Sequence, residues 1–225
     1  MNPTWTSDCG TVRLWLGDCL DVMATWPDGA VDAVVTDPPY GVGIGKQSLG
    51  KWRTFKMPQS EWDDKRPSLV TITSRFRCII WGGNYFVLPP SRNWLVWNKG
   101  AGFKGRDFAE CELAWCSWDG NTREVTYDPL AGGDYRSKQH PTQKPICVML
   151  ASIRHAGDSV TIADPFMGSG TTGVAAVRLG RSFWGVELDP DYFESAKKRI
   201  QDELRRVAFL EGNAEPKQQQ RELAI

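Results

Sequence analysis

The stretch "ADPFMGSGTTGVAA" (residues 163–176) decides the fold, because it joins a short apolar strand to an alanine-rich helix through a glycine loop. Its three glycines form a GxGxxG, the pattern of loops that hold a dinucleotide at a helix N-terminus. In such sites the first glycine follows its strand almost directly. Here Asp164 and Phe166 stand before the first glycine, Gly168. The loop therefore favours a ligand other than a dinucleotide, although the dinucleotide interpretation stays open.

The residue types around this loop describe the alternative ligand. Asp164 would repel a phosphate and attract an amine, and the ring of Phe166 suits an apolar or cationic group. The helix N-terminus at 169–172 offers amides and hydroxyls to a carboxylate. Glu187, seventeen residues after Gly170, suits a ribose. An amine, a cationic centre, a carboxylate and a ribose together are the groups of S-adenosylmethionine.

Working outward, four short apolar runs each end in an acid: Asp18, Asp37, Asp164 and Glu187. Such strands alternate with helical segments, which predicts a doubly wound, mostly parallel α/β sheet. Ligands of these sheets bind at the carboxyl ends of the strands, so the four acids should line one crevice, although one or two of them could cap helices instead. Further strands are predicted at 76–83, 93–100 and 109–118, and helices at 60–75, 144–156, 170–180 and 190–208.

The run "VDAVVTDPPY" (31–40) ends a buried-looking strand with a stiff turn. Pro38 and Pro39 fix their own φ and exclude a helix at the residues before them. The turn therefore holds the carboxylate of Asp37 and the ring of Tyr40 in one relative geometry. The alternative is an ordinary proline-terminated turn with a surface tyrosine.

Composition is that of an ordinary globular protein: 225 residues, 41% apolar and 24% charged, with a formal net charge of zero. No global basic field therefore indicates nucleic acid. Two basic clusters are candidates for local phosphate contacts, with solvated loops as the alternative. They are Lys46, Lys51, Arg53 and Lys56, and Arg136, Lys138, His140 and Lys144.

The six cysteines form no CxxC pair and there are only two histidines, which argues against a metal site and for a reducing compartment. The start of the chain has no charged-then-apolar signal pattern, and no apolar run approaches the ~20 residues of a membrane span. We therefore expect a cytoplasmic protein with no metal and no membrane partner.

Four motifs in order give a family resemblance: "GDCLDVM" (17–23), "DPPY" (37–40), "HPTQKP" (140–145) and "DPFMGSGTT" (164–172). The chain resembles, over about residues 10–200, the β class of amino-methylating DNA methyltransferases, which modify the exocyclic amine of adenine or cytosine. The resemblance implies a Rossmann-like sheet of seven strands, one of them antiparallel. It also implies a circularly permuted order, with the catalytic motif before the cofactor loop.

The same resemblance implies residue roles. Asp37 and the carbonyl of Pro38 would accept hydrogen bonds from the target amine, Pro39 would stiffen the turn, and Tyr40 would stack on the flipped base. For the cofactor, S-adenosyl-L-methionine, Asp164 would face the methionyl amine, Glu187 the ribose and Asp18 the adenine amine, while Thr142 and Lys144 would close the methionine end. The cofactor set is Asp18, Cys19, Thr142, Lys144, Asp164, Phe166, Gly168, Ser169, Gly170, Thr171, Thr172 and Glu187.

The expected partner is double-stranded DNA, although a separate recognition domain is nearly absent. The expected DNA contacts are Lys46, Lys51, Arg53, Lys56, Arg136 and Lys138. Because one pocket and two loops offer little surface, we also expect a homodimer. Segment 76–88 is a candidate contact, and the alternative is that its aromatic residues belong to the core or line the base pocket. The expected layout is one domain over 1–210 (catalytic region 11–118, recognition region 100–140, cofactor region 140–210) and a polar tail over 211–225.

Several activities remain to be weighed. Aspartate at position 37 favours adenine N6, because it is commoner in the adenine enzymes of the family, and cytosine N4 is the alternative. The chain has no Pro-Cys pair, which excludes cytosine-C5 chemistry. RNA or protein-amide methyltransferases more often carry Asn at the position of Asp37. A nicotinamide oxidoreductase would leave "DPPY" without a role, and a non-catalytic DNA-binding module would not need the glycine loop.

Overall fold

The computed structural model describes residues 1–41, 66–132 and 143–212, and these ranges contain nine strands and five α-helices. The strands are β1 (Trp5–Thr6), β2 (Val12–Leu16), β3 (Ala33–Thr36), β4 (Cys78–Trp81), β5 (Trp94–Asn98), β6 (Cys111–Cys116), β7 (Arg123–Thr126), β8 (Thr161–Asp164) and β9 (Ser182–Glu187). The helices are α1 (Cys19–Ala24), α2 (Val70–Arg75), α3 (Ile146–His155), α4 (Thr171–Arg178) and α5 (Pro190–Gly212).

All nine strands form one sheet in the order β1-β2-β9-β8-β3-β4-β6-β5-β7. The five strands from β2 to β4 run parallel to one another, and β6 is antiparallel to both β4 and β5. The expected doubly wound sheet with one antiparallel strand is therefore confirmed for the seven strands from β2 to β5. The sheet is wider than expected, because β1 pairs antiparallel with β2 and β7 pairs parallel with β5.

Helices cover both faces of the sheet, which explains the unbroken apolar runs of its central strands. Ala33 and Val35 point into a core shared with α3, α4 and α5, whereas Val34 points into a second core shared with α1 and α2. The second core contains Trp15, whose ring centroid lies 5.3 Å from that of Trp184. Burial on both faces fixes the register of β3, and with it the position of the residues that follow it.

Some element bounds differ from the predictions. The helix predicted at 60–75 begins only at Val70 among the described residues, since Pro67 disfavours helical geometry at Arg66, and Ser60 lies outside those residues. Helix α5 runs on to Gly212, two residues into the segment predicted to be a tail. In the described ranges no helix is both long and apolar enough to cross a bilayer.

Candidate active site

Four neighbouring parallel strands end in acids at one edge of the sheet. Across that edge, β2 is followed by Asp18, β9 ends at Glu187, β8 ends at Asp164, and β3 is followed by Asp37. Because the carboxyl ends of parallel strands lie at the same edge, the sheet brings the four predicted acids to one side of the molecule. This edge is the candidate active site.

Tyr40 folds back onto Asp37 at the end of β3. Its hydroxyl donates to Oδ1 of Asp37, and its ring stacks on that of Tyr85, with centroids 4.8 Å apart and planes 17° from parallel. Phe86 adds an edge contact with a centroid distance of 6.4 Å. The guanidinium of Arg66 donates to the carbonyl oxygens of Tyr40 (2.7 Å) and Tyr85 (3.0 Å), which ties the two aromatic segments together.

The same aromatic segment lies within the predicted dimer contact at 76–88. Trp81 is fully buried, and Phe86 packs against the core shared with α1 and α2. The ring of Tyr85 already lies against Tyr40. The aromatic side chains instead fit the alternative, that they fill the core and line the base pocket, and the interface stays a prediction.

Lys144, which the resemblance had assigned to the methionine end of the cofactor, lies beside Asp37, the proposed catalytic carboxylate. Its Nζ is 2.6 Å from Oδ2 of Asp37, 3.2 Å from the Tyr40 hydroxyl and 3.2 Å from Oε2 of Glu112. The side chain is only 5% exposed. A buried ammonium needs anionic partners, and Asp37 and Glu112 supply them.

Burial and ion pairing set the protonation of this group. Burial raises the pKa of Asp37, while the Lys144 ammonium and the Tyr40 hydroxyl limit the rise. Burial acts to lower the pKa of Lys144, but the charge of Asp37 and the neighbouring Tyr40 and Glu112 outweigh it and hold that pKa well above its ordinary value. Lys144 is therefore a permanent cation beside the Asp37 carboxyl.

Asp164 is buried at the end of β8, and both of its carboxylate oxygens accept hydrogen bonds from the protein. Its Oδ1 accepts from the Thr36 hydroxyl (2.6 Å) and the Phe166 amide (3.1 Å), and its Oδ2 accepts from the Thr172 hydroxyl (2.6 Å). Burial raises the pKa of Asp164 to about 6, against the effect of these donors. The sequence had not indicated a role for Thr36, which only its place directly before Asp37 could have suggested.

The glycine loop is closed by contacts with the strand and helix around it. The Gly168 amide donates to Oε2 of Glu187 (2.8 Å), whose Oε1 accepts from the Leu188 and Asp189 amides (both 2.9 Å). Gly170 has a φ of +76°, and a β-carbon there would stand 2.9 Å from the Ala196 side chain. Close packing at the start of α4 therefore accounts for this glycine.

Arg199 of α5 is a site residue that the sequence did not reveal. Its Nη1 donates to the carbonyl oxygen of Ser169, to the Ser169 hydroxyl (2.9 Å) and to the Thr171 hydroxyl (3.3 Å). The Ser169 hydroxyl also donates to the side chain of Gln143 (3.3 Å). Arg199 lies in an ordinary amphipathic helix, so only the packing of α5 against α4 brings it to the loop.

Asp18, the first acid along the edge, also has a structural role. Oδ1 of Asp18 accepts from the Leu20 amide (2.8 Å) and the Asp21 amide (3.3 Å), which caps α1. This is the helix-cap role that the sequence had left open for one or two of the acids. Burial raises the pKa of the neighbouring Cys19 thiol to about 12, so this residue is neutral at physiological pH.

Several predicted residues lie outside the described ranges. They are Thr142 of the cofactor set and Lys46, Lys51, Arg53, Lys56, Arg136 and Lys138 of the DNA set. Within residues 1–41, 66–132 and 143–212, no group of three or more His, Cys, Asp or Glu side chains could hold a metal ion.

Comparisons with known proteins agree with this geometry. Residues 51–198 match the family model described as DNA methylase, whose members methylate N6 or N4 amino groups. The type II methyltransferase M2.MboI of Moraxella bovis is 23% identical over 251 residues, covering 90% of this chain and 92% of that protein.

Two solved structures share the fold. The crystal structure of the M1.HpyAVI–SAM complex has a TM-score of 0.53 at 21% identity, covering 84% of this chain and 99% of that one. The PvuII DNA methyltransferase, titled cytosine-N4-specific, has a TM-score of 0.53 at 16% identity, covering 92% and 95%. The family depends on S-adenosyl-L-methionine, in agreement with the predicted cofactor. The chain belongs to the N6/N4 DNA methylase family.

Proposed function

We propose that this protein transfers a methyl group from S-adenosyl-L-methionine to the N6 amine of adenine in double-stranded DNA. The observation that carries the proposal is the order of the acids along the sheet edge: Asp18, Glu187, Asp164, Asp37. Their assigned partners are the adenine amine, the ribose and the methionyl amine of the cofactor, and then the target amine. The order of the acids thus follows the cofactor from end to end and continues into the substrate.

The residues of the glycine loop suit the cofactor. Asp164 supplies a negative charge for an ammonium, and the loop around Ser169 supplies amides and hydroxyls beside the cationic Arg199 for a carboxylate. The Glu187 carboxylate lies against the loop at Gly168, where hydroxyl groups of a ribose would bind. When bound, the cofactor supplies an activated methyl group on a sulfonium centre.

Asp37 and the carbonyl of Pro38 would make the target amine reactive. The lone pair of an exocyclic amine is delocalised into the ring, so the amine is a poor nucleophile. Two acceptors on its hydrogens favour tetrahedral geometry and localise that pair, and a fixed carboxylate stabilises the positive charge that develops on nitrogen. The proton of the methylated amine would leave through Asp37 to water.

Tyr40 would exchange partners when the base enters. Its hydroxyl occupies Oδ1 of Asp37 and its ring lies against Tyr85, whose side chain is 41% exposed. The target amine would take over Oδ1, and the flipped base would take one aromatic face. Stacking of this kind recovers about 1–3 kcal/mol per base.

DNA contacts would come from Lys46, Lys51, Arg53 and Lys56, together with Arg136 and Lys138. A specific protein–DNA interface buries at least about 1,000 Å² of protein surface. We therefore retain the homodimer as part of the proposal, without the 76–88 interface. Light scattering at micromolar concentrations tests it: a mass that stays near 25.2 kDa, with or without DNA, contradicts a dimer.

The choice of target base is tested by analysing the product. Unmethylated DNA is treated with the protein and a methyl-deuterated cofactor, then digested to nucleosides for mass spectrometry. We expect the deuterated methyl group on deoxyadenosine N6. Label on deoxycytidine N4 would keep the family chemistry and overturn the adenine assignment, and the absence of label from every nucleoside would overturn the proposed function.

A further inference from the structure

Four side chains of alternating charge run from the end of β5 to the proposed catalytic carboxylate. Lys99 Nζ lies 2.8 Å from Oε1 of Glu112, Lys144 Nζ lies 3.2 Å from Oε2 of Glu112, and Lys144 Nζ lies 2.6 Å from Oδ2 of Asp37. We call this series the charge chain. Its members come from four places: the end of β5, strand β6, the segment before α3, and the end of β3.

The charge chain is largely shielded from water. The exposed fractions of its side chains are 11% for Lys99, 30% for Glu112, 5% for Lys144 and 23% for Asp37. Buried ion pairs add little stability compared with apolar side chains of the same size, because desolvation offsets the attraction. Stability is therefore a weak reason for four charges at this place, and geometry is a better one.

Glu112 pairs with the same Lys144 ammonium that pairs with Asp37. Each oxygen of Glu112 forms an ion pair with one ammonium, that of Lys99 or that of Lys144. The Lys144 ammonium also lies over the ring of Trp81, with 5.4 Å between Nζ and the ring centroid. The Lys99 ammonium lies over the ring of Trp97 in the same way (5.3 Å). Antiparallel strand β6 places Glu112 opposite Trp97 of β5, so the sheet itself fixes this carboxylate.

This arrangement gives the two carboxylate oxygens of Asp37 different partners. Lys144 takes Oδ2, so Oδ1, which accepts from the Tyr40 hydroxyl, is the oxygen that an incoming amine would take over. We propose that Glu112, supported by Lys99, is a positioning residue that holds Lys144 on Oδ2 and thereby directs Oδ1 of Asp37 to the target amine. This inference rests on the proposed function for its catalytic consequence, but the arrangement can be measured without it.

The charges of the charge chain predict how the pKa of Asp37 responds to substitution. Burial acts to raise the pKa of Glu112, yet the Lys144 and Lys99 charges hold it at about 2, so Glu112 is an anion at all pH values of interest. The groups that face Asp37 are Lys144, Tyr40, Glu112 and Asp164. Among them Glu112 raises the pKa of Asp37 and Lys144 lowers it.

Glu112→Gln is the test, with Glu110→Gln as the matched control. Glu110 lies two residues away and is exposed. Single-turnover methyl transfer is measured with DNA and cofactor both saturating, from about pH 5 to 9. We expect Glu112→Gln to lower the rate constant about 10-fold at neutral pH, because Asp37 is less well aligned, while cofactor affinity is unchanged. Its acidic limb should move to lower pH, and Glu110→Gln should match the unsubstituted protein.

A titration of the Asp37 carboxyl by carbon NMR separates this inference from the proposed function. In Glu112→Gln the midpoint of Asp37 should fall, and in Lys144→Met it should rise. These shifts need no methyl transfer, so they test the charge chain even if the unsubstituted protein leaves DNA unlabelled. An unchanged Asp37 midpoint in Glu112→Gln, or an unchanged rate and pH profile in that variant, overturns the inference.

Discussion

The ring of Tyr40 lies directly against the backbone of Gly82, the residue that follows β4. Gly82 has a φ of +66°, and a β-carbon at this position would collide with ring carbons of Tyr40 and stand 2.8 Å from its hydroxyl oxygen. Gly82 thus serves two requirements at once: a left-handed backbone and an open space for the tyrosine. Its absence of a side chain is what lets the Tyr40 hydroxyl reach Asp37.

Gly82→Ala should therefore damage the site more than a glycine substitution with backbone strain alone. Gly29→Ala is the control, because Gly29 has a similar φ of +74° and nothing within 4 Å of the added carbon. Both variants should lose about 1–2 kcal/mol of unfolding free energy from the backbone. Gly82→Ala should lose a further 1–3 kcal/mol, on the order of an overpacking penalty, and most methyl transfer. Equal losses in urea unfolding would contradict the close contact.

Arg199→Met should weaken cofactor binding. The substitution removes the donor to the Ser169 carbonyl and hydroxyl and to the Thr171 hydroxyl, so the loop loses its support from α5. We expect the calorimetric Kd for S-adenosylmethionine to rise about 10-fold, equivalent to about 1.4 kcal/mol. Arg205→Met is the control on the same helix, because its side chain is 75% exposed and pairs with the exposed Asp202. Similar affinities of the two variants would show that Arg199 does not support the loop.

The buried Asp164 should make the protein less stable as the pH rises through the acidic range. Its pKa is about 6 in the fold against 3.8 for the free group, so the folded state binds this proton more tightly than the unfolded state. Stability from this group is present below about pH 4 and is lost by about pH 7, by up to about 3 kcal/mol. In urea unfolding, the stability difference between the unsubstituted protein and Asp164→Asn should fall over that range. A difference that is constant or grows with pH would be the opposite result.

The strand-end acids were predictable because their signals are local. Each strand is a short apolar run, and the acid follows it directly in sequence, as Asp37 follows β3. The parallel arrangement then brings their ends to one edge without further information. The aromatic and proline residues of 37–40 were recognisable for the same reason, because the residues that stiffen the turn are consecutive in the sequence.

The charge chain and Arg199 could not be predicted in this way. Glu112 reaches Lys144 only because β6 lies antiparallel between β4 and β5. Local sequence patterns do not specify this order of strands in the sheet. Lys144 was predicted at the methionine end from its motif, and the position of its ammonium is set by anions from two distant segments. The edge strands escaped prediction because β1 has only two residues and β7 is mostly exposed, without an apolar run.

The basic cluster at 46–56 should govern affinity for DNA of any sequence. Replacing Lys46, Lys51, Arg53 and Lys56 by Ala should weaken binding uniformly, because each lysine or arginine would neutralise a phosphate. The slope of log affinity against log salt should flatten by up to about 0.9 per lost contact, while cofactor affinity stays the same. A slope equal to that of the unsubstituted protein would show that the cluster is only a solvated loop.

Asp37→Ala tests the central claim, that one carboxylate at the end of β3 activates the amine while separate groups bind the cofactor. Lys144 keeps Glu112 as its partner in this variant, so the buried ammonium is not left unpaired. The control is Asp119→Ala, which removes an exposed ion pair with Arg92.

The deciding measurement pairs labelled methyl transfer to DNA with calorimetric titration of S-adenosylmethionine on the same preparation of Asp37→Ala. We predict that methyl transfer falls at least about 1,000-fold while the cofactor Kd changes by no more than a few-fold. Methyl transfer near the level of the unsubstituted protein, or loss of cofactor binding together with activity, would contradict the separation of the two sites.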